Sequence, residues 1–180
     1  KDYMLRNSSS SYGLVSKLFH WCVSLIIIGL LIVGFTMTSM EPSADKWELY
    51  SMHKATGVVV LSLVSLRFLW RLINVKLDLP ADLPSWQKLA SRVTHYLLYV
   101  FMFLMPISGV LMSVLGGHEV NVFSLFTIPA VEEKSVALAQ FFNNIHGISA
   151  LIFVGLIGLH IVAGLYHHFV RKDNILKRMI

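Results

Sequence analysis

The segment HGISALIFVGLIGLH, running from His146 to His160, holds two imidazoles fourteen residues apart with no other ionisable group between them. Such groups are costly in hydrocarbon, and where they occur they face a bundle interior, a partner or a cofactor. On a helix the two are about 21 Å apart along the axis and about 40° apart around it. They therefore occupy one stripe, one near each membrane face, and each needs a partner at its own depth. His53 lies at the outer depth of His146, while His118 falls in a loop. At the inner depth of His160 both His20 and His95 qualify, and spacing alone leaves that choice open.

Two transmembrane histidine pairs restrict the ligand. Zinc takes four protein ligands, or three plus water, and no cysteine or carboxylate accompanies these pairs. Haem iron needs only two axial ligands, and its apolar macrocycle fits between the helices of a bundle. A lone membrane histidine is more often a helix-to-helix hydrogen-bonding group. Four at two matched depths point instead to two non-covalent b-type haems.

The elements that must position them follow from composition. The 180 residues are 56% hydrophobic and 14% charged, with a mean hydropathy of +0.68, too apolar for an ordinary soluble domain. Four segments reach the roughly 20 apolar residues of a membrane span: about 15–37, 52–73, 93–115 and 141–169. The expectation is an all-α membrane protein, a single four-transmembrane-helix bundle over residues 1–180. The first apolar run is too long for a signal peptide's core, lacks a small-residue cleavage site, and carries His20-Trp21 at its start. Cys22 is the sole cysteine, which excludes an internal disulfide and covalent haem attachment through C-x-x-C-H.

Orientation follows from the basic residues. Placing both termini and the 67–92 connection on one side gathers Lys1, Arg6, Lys17, Arg67, Arg71, Lys76, Lys88, Arg92, Arg171, Lys172, Lys177 and Arg178 there. Only Lys46, Lys54 and Lys134 remain opposite, so the crowded side is expected to be cytoplasmic. Topology then explains the pI near 9.4 without a nucleic-acid partner. The outer loop SMEPSADKWELY is short and acidic, and the inner connection with Pro80, Pro84 and Trp86 suits the headgroup level. The second outer loop, from Gly116, is long enough to be a lid and is expected to fold back over the outer end of the bundle. The run 8–11 reads as a disordered serine tail.

With these residues in place, the chain resembles the bacterial cytochrome b561 family of four-helix di-haem inner-membrane proteins. The resemblance rests on Phe19-His20-Trp21, His53 with Gly57, Leu66-Arg67-Phe68-Leu69-Trp70-Arg71, His95 with Tyr99, and Phe126-Thr127-Ile128-Pro129. His146, His160 and the ending HHFVRKDNILKRM complete it, so that it covers nearly the whole chain. It implies His20 with His160 as ligands of the inner haem iron and His53 with His146 as ligands of the outer one. It also implies electron transfer to ubiquinone, with superoxide as a possible periplasmic one-electron donor. The alternative is a cytochrome b relay or anchor subunit that passes electrons between quinol and a docked redox protein.

Secondary candidates surround those ligands. Lys54 adjoins His53 where lysines are scarce and could steer an anion toward the outer haem, neutralise a propionate or snorkel to the interface. Arg67 and Arg71, four apart, suit inner-haem propionates, with positive-inside anchoring as the plain alternative. His95 could bond a propionate or a neighbouring helix. His167, seven residues after His160, stays on the haem stripe and could serve a quinone pocket, bond a propionate or sit at the interface. Pro106 and Gly109 mark a kink or a packing site in the third helix. The location expected is the bacterial inner membrane, multi-pass, with both termini cytoplasmic. A reporter enzyme active only outside the cytoplasm should be silent when fused after Ile180 and active when inserted at Glu132; the reverse pattern would invert the topology.

Overall fold

The computed structural model describes residues 5–180, so Lys1, counted above among the crowded basic side, lies outside the described residues. Four helices carry the chain: α1 (Leu14–Ser39), α2 (Ala44–Ile73), α3 (Ser85–Leu115) and α4 (Val136–Tyr166). All four are long and apolar enough to span a membrane. The 26 residues of α1 make a rod of about 39 Å, more than the roughly 30 Å of a hydrocarbon core. Large apolar side chains such as Leu25, Ile32, Leu151 and Val162 point outward, as they must when the solvent is lipid.

Helices α2, α3 and α4 begin well before their apolar stretches, because a helix continues through the headgroup layer where polar residues are at home. Ser43 caps α2 by accepting a hydrogen bond from the Lys46 amide, and Asp45 in the first turn complements the helix dipole. The expected outer loop from Ser39 thus shrinks to residues 40–43, with Trp47 and Tyr50 on the helix. Similarly, Pro84 stands at the N-cap of α3, so that Trp86 and Lys88 belong to its first turns. Pro106 lies within α3; it has no amide to give to the carbonyl one turn earlier.

Helix α1 packs chiefly on α2 and α3 on α4, with α2 joining the two pairs. Val23 and Ile27 of α1, Val60 and Val64 of α2, Met102 of α3 and Phe153 of α4 form the buried middle of the bundle. The two ends differ. At the hairpin end, β1 (Val120–Val122) pairs antiparallel with β2 (Phe126–Ile128) in the register Val120 to Ile128. The second outer loop therefore folds back over the bundle as expected, but as a hairpin. Val120 and Val122 do the packing, against Val114 and the flanking Val58, Val59 and Val110. Phe123, Leu125 and Phe126 are exposed, Leu125 at 82%. The turn puts Phe123 (φ 48°) and Ser124 (φ 59°) in the left-handed region, closed by the Leu125 amide on the Val122 carbonyl at 2.9 Å. Two positive φ angles are what a type I′ hairpin turn requires, and the Asn121 side chain accepts from the Ser124 amide at 2.8 Å to hold it.

At the other end, called the tail end, α4 runs into a single π turn (His167–Arg171). Lys172, left-handed at φ 54°, turns the chain back. The returning segment is held by Arg171 on Asp82 (2.8 Å), Arg178 on the Asp78 carbonyl (2.6 Å) and the Trp21 indole on the Met179 carbonyl (2.9 Å). Residues 8–11, expected to be a disordered tail, are instead a folded loop. Ser8 bonds Ser11, while Asn7 ties Gly13 and Ser16 of the α1 approach to Asn74 and Val75. The hairpin's hold on the bundle is testable at Val120, which is fully buried. Val120→Lys places an unpaired charge in that seat, at a cost of about 3 kcal/mol or more. Limited proteolysis should then cut the 116–135 segment and should leave it intact in the unchanged protein.

Candidate functional site

The hairpin end brings His53 of α2 together with His146 of α4, ring centroids 6.3 Å apart and planes crossed at 78°. His146 Nδ1–H donates to the Met105 carbonyl at 2.9 Å, with the Ser108 hydroxyl 3.1 Å away, which leaves Nε2 free. His53 Nδ1 is buried and has no partner. The two rings line an apolar cavity walled by Gly57, Val60, Met102, Gly109 and Phe153. Lys54 stands at this cavity with its ammonium donating to the Glu119 carbonyl at 3.0 Å, so the lysine flagged beside His53 straps the hairpin to α2.

The tail end gathers His20 of α1, His95 of α3 and His160 of α4. His20 and His160 lie 6.1 Å apart with planes at 66°, and His95 and His160 lie 5.4 Å apart. Depth matching thus holds for all three. His95 Nδ1–H donates to the Ser91 carbonyl at 2.7 Å. Arg67 donates to His20 Nδ1 at 3.0 Å, and because guanidinium has only donors that nitrogen is the acceptor. Arg67 and Arg71 both lie over the Tyr99 ring, at 5.6 and 5.1 Å.

Do these pairs suit a haem? An imidazole nitrogen sits about 2 Å from its metal, and the ring centre about 1 Å further, so two imidazoles on one iron have centroids about 6 Å apart. The 6.3 and 6.1 Å spacings fit that requirement. Among the described residues no three His, Cys, Asp or Glu side chains come together as a metal cage; an iron whose remaining ligands come from a porphyrin needs no third. The unpartnered His53 nitrogen and the open space beside Gly57 are further signs of a group that belongs between the rings.

The profile described as prokaryotic cytochrome b561 matches residues 11–180. The chain belongs to the prokaryotic cytochrome b561 family. It is 34% identical over 179 residues to "Cytochrome b561 homolog 2" of Escherichia coli (strain K12), covering 97% of this chain and 93% of that one. It is 29% identical over 168 residues to "Probable superoxide oxidase CybB" of Yersinia pestis, covering 89% and 90%. "Cytochrome b561 homolog 1" of Escherichia coli (strain K12) is 26% identical over 163 residues, covering 89% and 92%. As a cytochrome b561, the chain is a multi-pass bacterial membrane oxidoreductase that transfers electrons across the membrane through b-type haems.

Sequence reasoning missed two parts of this cytochrome's sites. Ser108 and the Met105 carbonyl are invisible as partners of His146 until α3 and α4 are seen to pack. Asp173 is the other. It accepts from His167 Nδ1 at 2.6 Å and from Arg171 Nε at 3.3 Å through one oxygen, and from the Ile175 amide at 3.0 Å through the other. A single acid in the basic run RKDNILKR is the only signal the sequence offers for it. Desolvation by itself would raise the Asp173 carboxyl, but hydrogen bonds from His167, Ile175 and Arg171 and the neighbouring charge together hold it below 3.8. A depressed carboxyl stabilises the folded arrangement at pH above 3.8, and that support is lost as pH falls through the lower folded value. The Ile175 amide should therefore lose exchange protection in the unchanged protein only under strongly acidic conditions. Asp173→Asn should lower that protection severalfold at neutral pH, as read by hydrogen exchange of the tail peptide.

Proposed function

We propose that this cytochrome takes single electrons from a small periplasmic donor, superoxide, and delivers them to ubiquinone at the tail end, which lies on the cytoplasmic side of the inner membrane. The observation that carries the reading is the pair of imidazole couples at opposite ends of one bundle, both completed from α4. The likeness to a relative named as a probable superoxide oxidase supports the donor, and the concentration of arginine and lysine at the tail end supports the orientation.

In this reading His53 and His146 hold the outer haem iron, and His20 and His160 the inner one. When bound, each haem supplies a one-electron iron couple. The 6.1 Å spacing supports His20 over His95 as the partner of His160, since 5.4 Å is short for an iron held between two rings. Ligation through His20 Nε2 needs its Nδ1 to carry the proton, so Arg67 turns from that nitrogen and, with Arg71, meets the inner propionates. His95 stays bonded to Ser91 and packs beside the pair. The hairpin and its Lys54 strap exclude bulk water from the outer cavity, and the Lys54 charge draws an anion toward it. At the tail end His167, held by Asp173 through Nδ1, keeps Nε2 for a quinone oxygen. The overall reaction balances as two superoxide ions giving two electrons and two dioxygen molecules, while one quinone takes those electrons and two cytoplasmic protons to become quinol.

A reduced-minus-oxidised spectrum with haem quantitation should find about two b haems per chain, as two bis-imidazole stations require; none would refute the reading. His20→Ala and His160→Ala should each lose the inner haem, while His95→Ala retains it; the converse would reassign the ligand. Superoxide should drive ubiquinone reduction by the purified chain, and Lys54→Gln should lower kcat/KM up to about tenfold at low salt and flatten its ionic-strength dependence. If quinone reduction instead requires a co-purifying iron–sulfur or flavin protein, the chain is a relay subunit.

A further inference from the structure

The two imidazoles at the hairpin end are gripped by their surroundings in a way that those at the tail end are not. An imidazole on Cγ turns in a broad, two-fold torsional well, so a fixed ring plane needs something to hold it. For His146 that grip comes from α3. Its Nδ1 is fixed by the Met105 carbonyl at 2.9 Å and the fully buried Ser108 hydroxyl at 3.1 Å. A Cβ placed on Gly109 would stand 3.2 Å from its Cε1 and 3.4 Å from its Nδ1. For His53 the constraint is steric only and lies on α1: a Cβ on Gly34 would stand 3.3 Å from Cε1, so a side chain there would press on the ring. Those distances are tighter than ordinary van der Waals contact, so each glycine leaves the ring just the room it has and no more. Among the eleven glycines only these two meet a histidine ring, and both rings belong to the hairpin-end pair.

We propose that Gly34 and Gly109, with the Ser108 hydroxyl, are positioning residues that clamp His53 and His146 in crossed planes and so set the electronic state and potential of the haem between them. The proposal rests on the hairpin-end ligand reading given above. Each imidazole donates π density to the iron d orbital perpendicular to its ring. Two rings in one plane raise a single d orbital, whereas rings crossed near the observed 78° raise two almost equally. Near-degenerate orbitals give a ferric low-spin centre with one very large g value, and the parallel arrangement gives an ordinary rhombic signal. A methyl group at either glycine turns or pushes a ring out of that setting.

The test is EPR of the oxidised holoprotein together with a potentiometric titration, the two haem signals being assigned through His53→Ala. Two b haems in the unchanged protein test the ligand reading on its own. Given two haems, the hairpin-end signal should be of the large-g type. Gly34→Ala and Gly109→Ala should each shift that signal toward the rhombic form and move its midpoint potential, or lose that haem alone, while the tail-end signal stays in place. Gly155→Ala, where an added Cβ meets nothing within 4 Å, should change neither. Spectra of both clamp variants that superimpose on the unchanged protein, or equal shifts of the two haems, would overturn the clamp. Should the glycine variants fail to assemble, Ser108→Ala decides. A shift of the hairpin-end signal alone at full haem content upholds the proposal, and an unchanged spectrum ends it.

Discussion

Everything in this cytochrome hangs on keeping imidazoles inside a hydrocarbon slab. A buried ring nitrogen without a partner costs about 1–3 kcal/mol, and the chain answers for each one differently. His146 and His95 give their Nδ1 protons to carbonyls, at Met105 and Ser91, and so present a free Nε2. His20 is met by Arg67. His53 is left with a buried nitrogen that nothing in the chain satisfies. That residual demand is what a bound group between the helices would meet, and it explains why helices with such apolar faces tolerate these residues.

The two ends surround their imidazole pairs in different ways. At the hairpin end the surroundings are apolar, a Cβ at either of two glycines would crowd the rings, and the β1–β2 hairpin is seated by Val120 and tied by Lys54. That is an apolar pocket covered on one side by the hairpin. At the tail end a third histidine, two arginines and Tyr99 crowd the pair, and the chain returns across it through Asp173, Arg178 and Met179. Charge and hydrogen bonds dominate there. The π turn matters to this, since it carries His167 and Arg171 into contact with Asp173.

Much of this was readable from residue numbers because depth in a membrane helix is linear in sequence. His53 meets His146 as that rule requires. The same rule could not choose between His20 and His95, since it fixes height and says nothing of which helix faces which, and the structure indeed places both near His160. Helix starts were misread because hydropathy marks the hydrocarbon boundary and helices ignore it, as the capped run from Ser43 through Tyr50 shows. The serines at 8–11 looked disordered on composition, yet Asn7 and Ser8 have partners that composition does not register. Asp173 was hidden for another reason: its contacts exist only because Lys172 adopts a left-handed conformation and reverses the chain.

What separates the two ends is as important as what builds them. Along α4 the sequence His146, Phe153, His160 advances in seven-residue steps, so Phe153 lies on the same stripe about 10 Å from each imidazole's level. It is 3% exposed and stacks on Phe101 at 6.1 Å. Around it Val23, Ile27, Val60, Val64 and Met102 complete the buried cluster, all with apolar side chains. Val60, Met102 and Phe153 of this cluster also wall the hairpin-end cavity, and their side chains carry no donor or acceptor for a proton to follow. In the proposed reading, protons consumed at the tail end enter from that side, where His167 and Asp173 stand. The apolar middle of the bundle thus separates the two imidazole pairs that α4 shares with α1 and α2.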